Sequence, residues 1–130
     1  MKETYYASKK KPVNLDLTTM AFPPMAIASI LHRISGVVLF LCLPVILYWL
    51  NLSLKNASSF TDLQLILANP YYKSLLWLFV SSLWYHLIAG IRHMFMDIGI
   101  GESLKAGYAS ANLVIILGIF GALGLGVLIW

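Results

Sequence analysis

The chain has 130 residues, 60% of them hydrophobic and only 11% charged, with a formal net charge of +4. That is enough for one small domain but too apolar for an ordinary soluble fold. A single cysteine, Cys42, excludes an internal disulfide, a Cys-x-x-Cys-His haem attachment and a cysteine-ligated iron–sulfur cluster held by this chain. Lying inside an apolar run, it is expected to pack rather than react.

In chain order, Met1–Lys11 has no apolar signal core followed by a cleavage site, so the first apolar stretch is expected to remain in the mature protein. Nor is the segment an Arg-rich, acid-free transit peptide, which favours a bacterial source. Lys2, Lys9, Lys10 and Lys11 precede the first apolar run, and nothing basic follows Lys105. The excess of positive charge at the start puts the N-terminus in the cytoplasm and, after three crossings, Trp130 outside. The lysine run is read as topogenic, not as a nucleic-acid site.

Three charge-free gaps define the spans. No Lys, Arg, Asp or Glu lies between Arg33 and Lys55, between Lys73 and Arg92, or after Lys105. Each gap supplies, or nearly supplies, the roughly 20 apolar residues that a helix needs to cross a hydrocarbon layer of about 30 Å. Three strands could not close a barrel, and open edges are not tolerated in lipid. The expected architecture is therefore one all-α membrane domain over residues 1–130, with spans at about 24–50, 71–97 and 108–130. The first span starts at Pro23-Pro24, where proline suits the first turn, and Pro44 is expected to kink it. A short interfacial helix is expected at about 59–68, with Ser59 and Asp62 at capping-box spacing. Phe60, Leu63 and Leu67 share one of its faces. Gly99 and Gly101 end the second span. In the third, Gly118, Ala122 and Gly126 form a small-residue face suited to close helix packing. Tyr48, Trp49, Tyr71, Tyr72 and Trp130 fall at one interface as an aromatic belt.

Polar residues within the spans are costly in lipid and therefore informative. His86 lies 13 residues after Lys73 and 11 before Asp97, which places it roughly 20 Å and about 16 Å from the two ends, at the midplane. It reads as a neutral histidine bonded to a neighbouring helix, a haem ligand or a proton-relay group. Ser82, His86, Gly90 and His93 share a face, and the small residues one turn either side of His86 leave room for a flat macrocycle. On the first span Ser29, His32, Arg33 and Gly36 also share a face, near the cytoplasmic boundary. A hydroxyl, an imidazole and a guanidinium beside a glycine can bond a quinone carbonyl and neutralise haem propionates, whereas Arg33 alone would read as a snorkelling residue. Arg92 and Asp97 are expected to pair with each other or with a partner. By depth, neither His32 nor His93 sits opposite His86 across one haem, so a second axial ligand must come from another chain.

Two runs carry a family resemblance. Lys11-Pro12-Val13-Asn14-Leu15-Asp16-Leu17, followed by Ser29-Ile30-Leu31-His32-Arg33-Ile34-Ser35-Gly36, resembles the first signature of the succinate dehydrogenase cytochrome b556 subunit family. His86-x-x-x-Gly90-Ile91-Arg92-His93-x-x-Met96-Asp97-x-Gly99 resembles the second. Lys11 stands where the family usually has arginine, with the charge kept. The resemblance implies a membrane anchor, in a bacterial inner membrane, for a flavoprotein subunit and an iron–sulfur subunit, alongside a second small membrane subunit. Electrons would pass from succinate to ubiquinone, with no succinate-oxidising site in this chain. It implies haem b ligated by His86, its other ligand on the second membrane subunit. Ser29 and Arg33 match quinone-site residues, and His32 and Arg33 match residues contacting haem propionates. A fumarate reductase anchor working with menaquinol, and a non-redox membrane subunit in which His86 serves packing or proton transfer, are the competing readings.

Overall fold

The computed structural model describes residues 20–130. The lysine run and the Lys11–Leu17 stretch lie outside the described residues. Four helices follow in order: α1 (Pro24–Lys55), α2 (Ala57–Ala68), α3 (Pro70–Asp97) and α4 (Leu104–Ile129). No strand occurs among the described residues. α1, α3 and α4 are each long and apolar enough to cross a membrane.

The helix limits follow from local chemistry. Pro24 occupies the first turn of α1, where its missing N–H is no loss. α1 continues through Pro44 to Lys55, beyond the expected end near Leu50. α2 begins at Ala57, two residues before the expected start. Its cap is Asn56, whose Oδ1 accepts the Ser59 backbone N–H at 2.8 Å. Ser59 therefore sits within the first turn, donating its own hydroxyl to Asn56 Oδ1 at 2.9 Å. The Ser59–Asp62 capping box is thus replaced: asparagine caps as well as serine, and it stands first in the chain. Asn69 caps α3 through the Tyr71 N–H at 3.0 Å, with Pro70 in the first turn.

The end of α3 shows why a glycine is needed there. Ile100 N–H bonds Phe95 O at 2.9 Å and Gly99 N–H bonds Met96 O at 3.0 Å. This Schellman closure requires a left-handed residue, and Gly99 has φ +81°. Ser103 then caps α4, which starts four residues earlier than the expected Tyr108.

α3 runs antiparallel to both of its long neighbours. Tyr85 Oη on α3 donates to Ala28 O near the start of α1, at 3.1 Å. Trp49, late in α1, meets Tyr72, early in α3, edge to face at 6.3 Å. At the same end Lys73 Nζ lies 5.5 Å from the Trp130 ring, so members of the expected aromatic belt do gather at one end. The core seam of α1 is Ala28, Ser35, Cys42 and Trp49, all buried at seven-residue intervals. The seam of α4 is Gly107, Ala111, Val114 and Gly118. Both intervals suit long, slightly supercoiled helix contacts. The outer surface is apolar: Phe40 is 75% exposed and Val127 82%, as suits residues facing lipid or another membrane chain rather than water.

Candidate functional site

The two polar faces predicted on α1 and α3 come together in the upper part of the α1–α3 interface. The rings of His32 and His86 stack, with centroids 4.1 Å apart and planes inclined at 24°. His93 lies beyond, its ring centroid 5.1 Å from that of His32. The three imidazoles form a line in which His32, from α1, sits between two histidines of α3.

This corrects the depth argument for His32. The sequence separates His32, at the boundary, from His86, at the midplane; the structure puts them in contact. His32 is eight residues inside α1 and His86 eleven residues from the end of α3. The three-residue difference is about 4.5 Å along a helix axis, which two imidazoles can bridge. Both glycines of the predicted faces serve this packing. A Cβ on Gly36 would lie 3.2 Å from His86 Cε1, and one on Gly90 would lie 3.7 Å from His32 Nε2. Gly36 thus makes space for the His86 ring, and Gly90 faces His32.

The hydrogen bonds around His86 assign its tautomer. The single proton of the Ser35 hydroxyl goes to His32 O, at 2.7 Å. His86 Nδ1 stands 3.0 Å from Ser35 Oγ and 3.2 Å from the same carbonyl. With the hydroxyl proton so placed, Nδ1 faces two acceptors, an arrangement that suits the Nδ1–H tautomer. His86 Nε2 is left with its lone pair and without a hydrogen-bond partner among the described residues. An imidazole fixed in this way, with Nδ1–H on a carbonyl and Nε2 free, is arranged as metal-ligating histidines are. His32 Nε2 is buried and has no partner among the described residues; such an atom is costly unless a further group completes it.

Ser29 is half-buried and Arg33 exposed. With His32 and Gly36 they occupy an arc of about 100° on α1, so they flank the histidine line rather than lie within it. Arg92 and Asp97 do not join the cluster or pair with each other. Arg92 is buried and donates from Nε to Ser110 Oγ at 3.0 Å and from Nη2 to Gly107 O at 3.3 Å, both on α4. Asp97 is exposed at the end of α3.

The family whose description is "Succinate dehydrogenase/Fumarate reductase transmembrane subunit" matches residues 7–125. The chain is 49% identical to the "Succinate dehydrogenase cytochrome b556 subunit" of Coxiella burnetii, over 93% of this chain and 98% of that one. It is 34% identical to the protein of the same name from Rickettsia conorii, over 93% and 91% of the two chains. A third of that name, from Paracoccus denitrificans, is 30% identical over 81% of each chain. The chain belongs to the succinate dehydrogenase/fumarate reductase transmembrane subunit family. As a member of that family it is a membrane subunit of a larger redox enzyme, which suits its apolar outer surface.

Within this family member, sequence reasoning missed Ser35, Ser81 and the role of Gly36. Ser35 belongs to the seven-residue seam with Ala28, Cys42 and Trp49, and a polar residue in such a seam was the available signal. Ser81 Oγ is buried without a partner among the described residues. With Ser35 and Ser82 it lines a cavity of about 370 Å³ between α1, α3 and α4.

Proposed function

We propose that the chain is the cytochrome b556 membrane-anchor subunit of a succinate:quinone oxidoreductase. In this reading it holds haem b together with a second small membrane subunit and forms part of the ubiquinone-reduction site. The observation that carries the reading is His86. Its Nδ1–H is anchored on Ser35 Oγ and His32 O, which leaves Nε2 free to ligate iron. The names of the relatives support the cofactor, since each is called a cytochrome b556 subunit.

The residues present fit a haem on one condition, that its other axial ligand comes from elsewhere. The His32 ring lies on His86 at 4.1 Å, so no macrocycle fits between these two histidines as they stand. Haem b supplies a one-electron store when bound. His86 would hold the iron through Nε2. His32 and Arg33 would neutralise the propionates, and a His32 Nε2 without a partner among the described residues supports such a contact. Ser29 is suited to donate a hydrogen bond to a quinone carbonyl. Arg33, close to the bilayer boundary, is suited to stabilise negative charge as the quinone accepts electrons, in a medium where charge interactions are strong. The flavoprotein and iron–sulfur subunits would deliver the electrons from succinate. The lysines before α1 favour a cytoplasmic N-terminus and an outer C-terminus, in a bacterial inner membrane. This puts the Ser29–Arg33 flank on the side where the soluble subunits dock and protons are supplied.

The test is the optical spectrum of the intact complex after His86→Ala and Ser35→Ala. His86→Ala should remove the low-spin reduced b-type α band; an unchanged band would sink the assignment. Ser35→Ala deletes one of the two bonds that orient the imidazole and leaves the one to His32 O, so haem should remain but bind about 10- to 100-fold more weakly, as for other outer-shell partners of metal ligands. Haem titration into apo-complex measures this.

A further inference from the structure

Along the α3–α4 interface, on the side away from the histidines, runs a groove of about 480 Å³ lined almost wholly by apolar side chains. Its polar side chains are Ser110 and Arg92. Arg92 as a residue is only 8% exposed, and its bonds among the described residues go to two neutral oxygens, Ser110 Oγ and Gly107 O. Of five N–H donors two are used, leaving three, and the positive charge is not balanced by either acceptor. A charged side chain within a membrane-spanning pair of helices is costly unless an anion joins it.

Depth says which anion. α3 has 28 residues, about 42 Å at 1.5 Å per residue, against a hydrocarbon layer of about 30 Å. A centred helix therefore leaves about 6 Å at each end among the lipid head groups. Arg92 is five residues from the end of α3, about 7.5 Å, and so stands at the boundary where lipid phosphates and glycerol lie. From Ser110, beside Arg92, the groove continues along α4 to Leu117. Those seven residues carry it about 10 Å further into the hydrocarbon. A guanidinium at head-group level above an apolar channel reaching into one leaflet matches the two chemical halves of a phospholipid. Arginine suits the phosphate half because its planar fork binds two oxygens at once.

We propose that this groove binds one glycerophospholipid of the adjoining leaflet, with the phosphodiester on Arg92 and an acyl chain along Ile91, Phe95, Leu113 and Leu117. The lipid then completes the charge balance of the α3–α4 pair and acts as a fixed part of the subunit. This is independent of the haem reading, because the groove and the histidine line lie on different sides of α3.

The experiment uses the intact complex, stripped of lipid in detergent and reloaded with dioleoylphosphatidylglycerol or with dioleoylglycerol, which has the same chains and no phosphate. Native mass spectrometry counts the bound molecules. Two variants are compared with wild type: Arg92→Gln, which removes the charge, and Ala106→Phe, which fills the groove mouth and leaves the Arg92 bonds in place. Wild type should take up one phosphatidylglycerol per copy of this chain that dioleoylglycerol does not replace. Arg92→Gln should lower its affinity by about tenfold or more, the scale of one charged hydrogen bond, and Ala106→Phe should lower it by taking up the space of the lipid. Should Arg92→Gln not assemble, Ala106→Phe carries the test alone. Equal uptake of dioleoylglycerol, or unchanged phosphatidylglycerol uptake in Ala106→Phe, would overturn the proposal. So would capture of the neighbouring membrane subunit by a photo-crosslinker at Leu113, which would show a protein in the groove.

Discussion

α3 has two differently built interfaces. Toward α4 it is locked: Trp77 Nε1 donates to Ala122 O at 2.8 Å, Trp84 Nε1 to Leu117 O at 3.0 Å, and Arg92 to Gly107 O and Ser110 Oγ. The glycines of α4 receive these side chains. A Cβ on Gly121 would run into the Trp84 indole, and one on Gly126 would lie 3.2 Å from Trp77 Nε1. Toward α1 the contact is made of imidazoles, a serine and two glycines, and it leaves His32 Nε2 without a partner among the described residues. On the α4 side both indoles and two of the Arg92 donors hold the helices together. The other side keeps nitrogen atoms in reserve, as a site prepared for a further ligand would.

That contrast can be broken first at its functional end. Arg33 is exposed and outside the packed interface, so Arg33→Leu should leave assembly intact, with haem still held through His86 and only the proposed propionate contact weakened. Under the proposed reading it should lower quinone reduction by succinate about 100-fold, the scale seen when one charge-stabilising donor is removed from an active site. Succinate oxidation by a soluble artificial acceptor should be unaffected, since that path ends before the quinone. Parallel loss of both activities would mean that Arg33 serves assembly, and the division between the two faces of α3 would fail.

At the structural end, Gly118 is the position where three helices meet. A Cβ there would come within 2.5 Å of Tyr85 Cδ2, and Tyr85 is also tied through its hydroxyl to Ala28 O on α1. The ring cannot retreat without releasing that bond, so α1, α3 and α4 are joined at one point. Gly118→Leu should destabilise the subunit by about 1–3 kcal/mol, as overpacking of a filled core does. Thermal denaturation of the purified complex in detergent would show a lowered midpoint, while the reduced haem band of the surviving fraction should keep its position. A shifted band with an unchanged midpoint would reverse the roles given to the two interfaces.

The same asymmetry explains what was legible in the sequence. The spans are visible because the gaps in charge match the thickness of a bilayer, and that property belongs to each helix alone. The sharing of faces by Ser29, His32, Arg33 and Gly36, or by His86, Gly90 and His93, is likewise set by the period of a single helix. The stagger of α1 against α3 belongs to neither helix, and it decides that His32 stacks on His86 instead of lying above it. The Gly118, Ala122 and Gly126 pattern announced close packing, but not that it would admit a phenol and indoles from α3. The sequence offers Arg92 either Asp97 or a partner as its counter-charge, and the structure does not pair it with Asp97. Those two residues are five apart, about 500° around the helix or 140° between faces, whereas Arg92 faces α4 and finds its acceptors there.

The smallest effect is expected where a bond is real but well buffered. Trp77→Phe removes the donor to Ala122 O and keeps an aromatic ring against Gly126. Ala122 O lies inside α4, where the helix itself provides a backbone N–H four residues on. Losing the indole therefore leaves no orphaned acceptor, and the larger penalty for an unsatisfied buried group does not arise. The expected cost is about 0.6 kcal/mol, the average for hydrogen bonds between membrane helices, with haem spectrum and quinone activity unchanged. A double substitution with Gly118→Leu measures whether the α3–α4 interface acts as one unit. Additive losses would mean that Trp77 and Tyr85 bind α4 independently, as expected for side chains eight residues, about 12 Å, apart. A loss well below the sum would instead show that one displaced ring already releases the whole α3–α4 seam, and the interface would then be a single lock with several contacts.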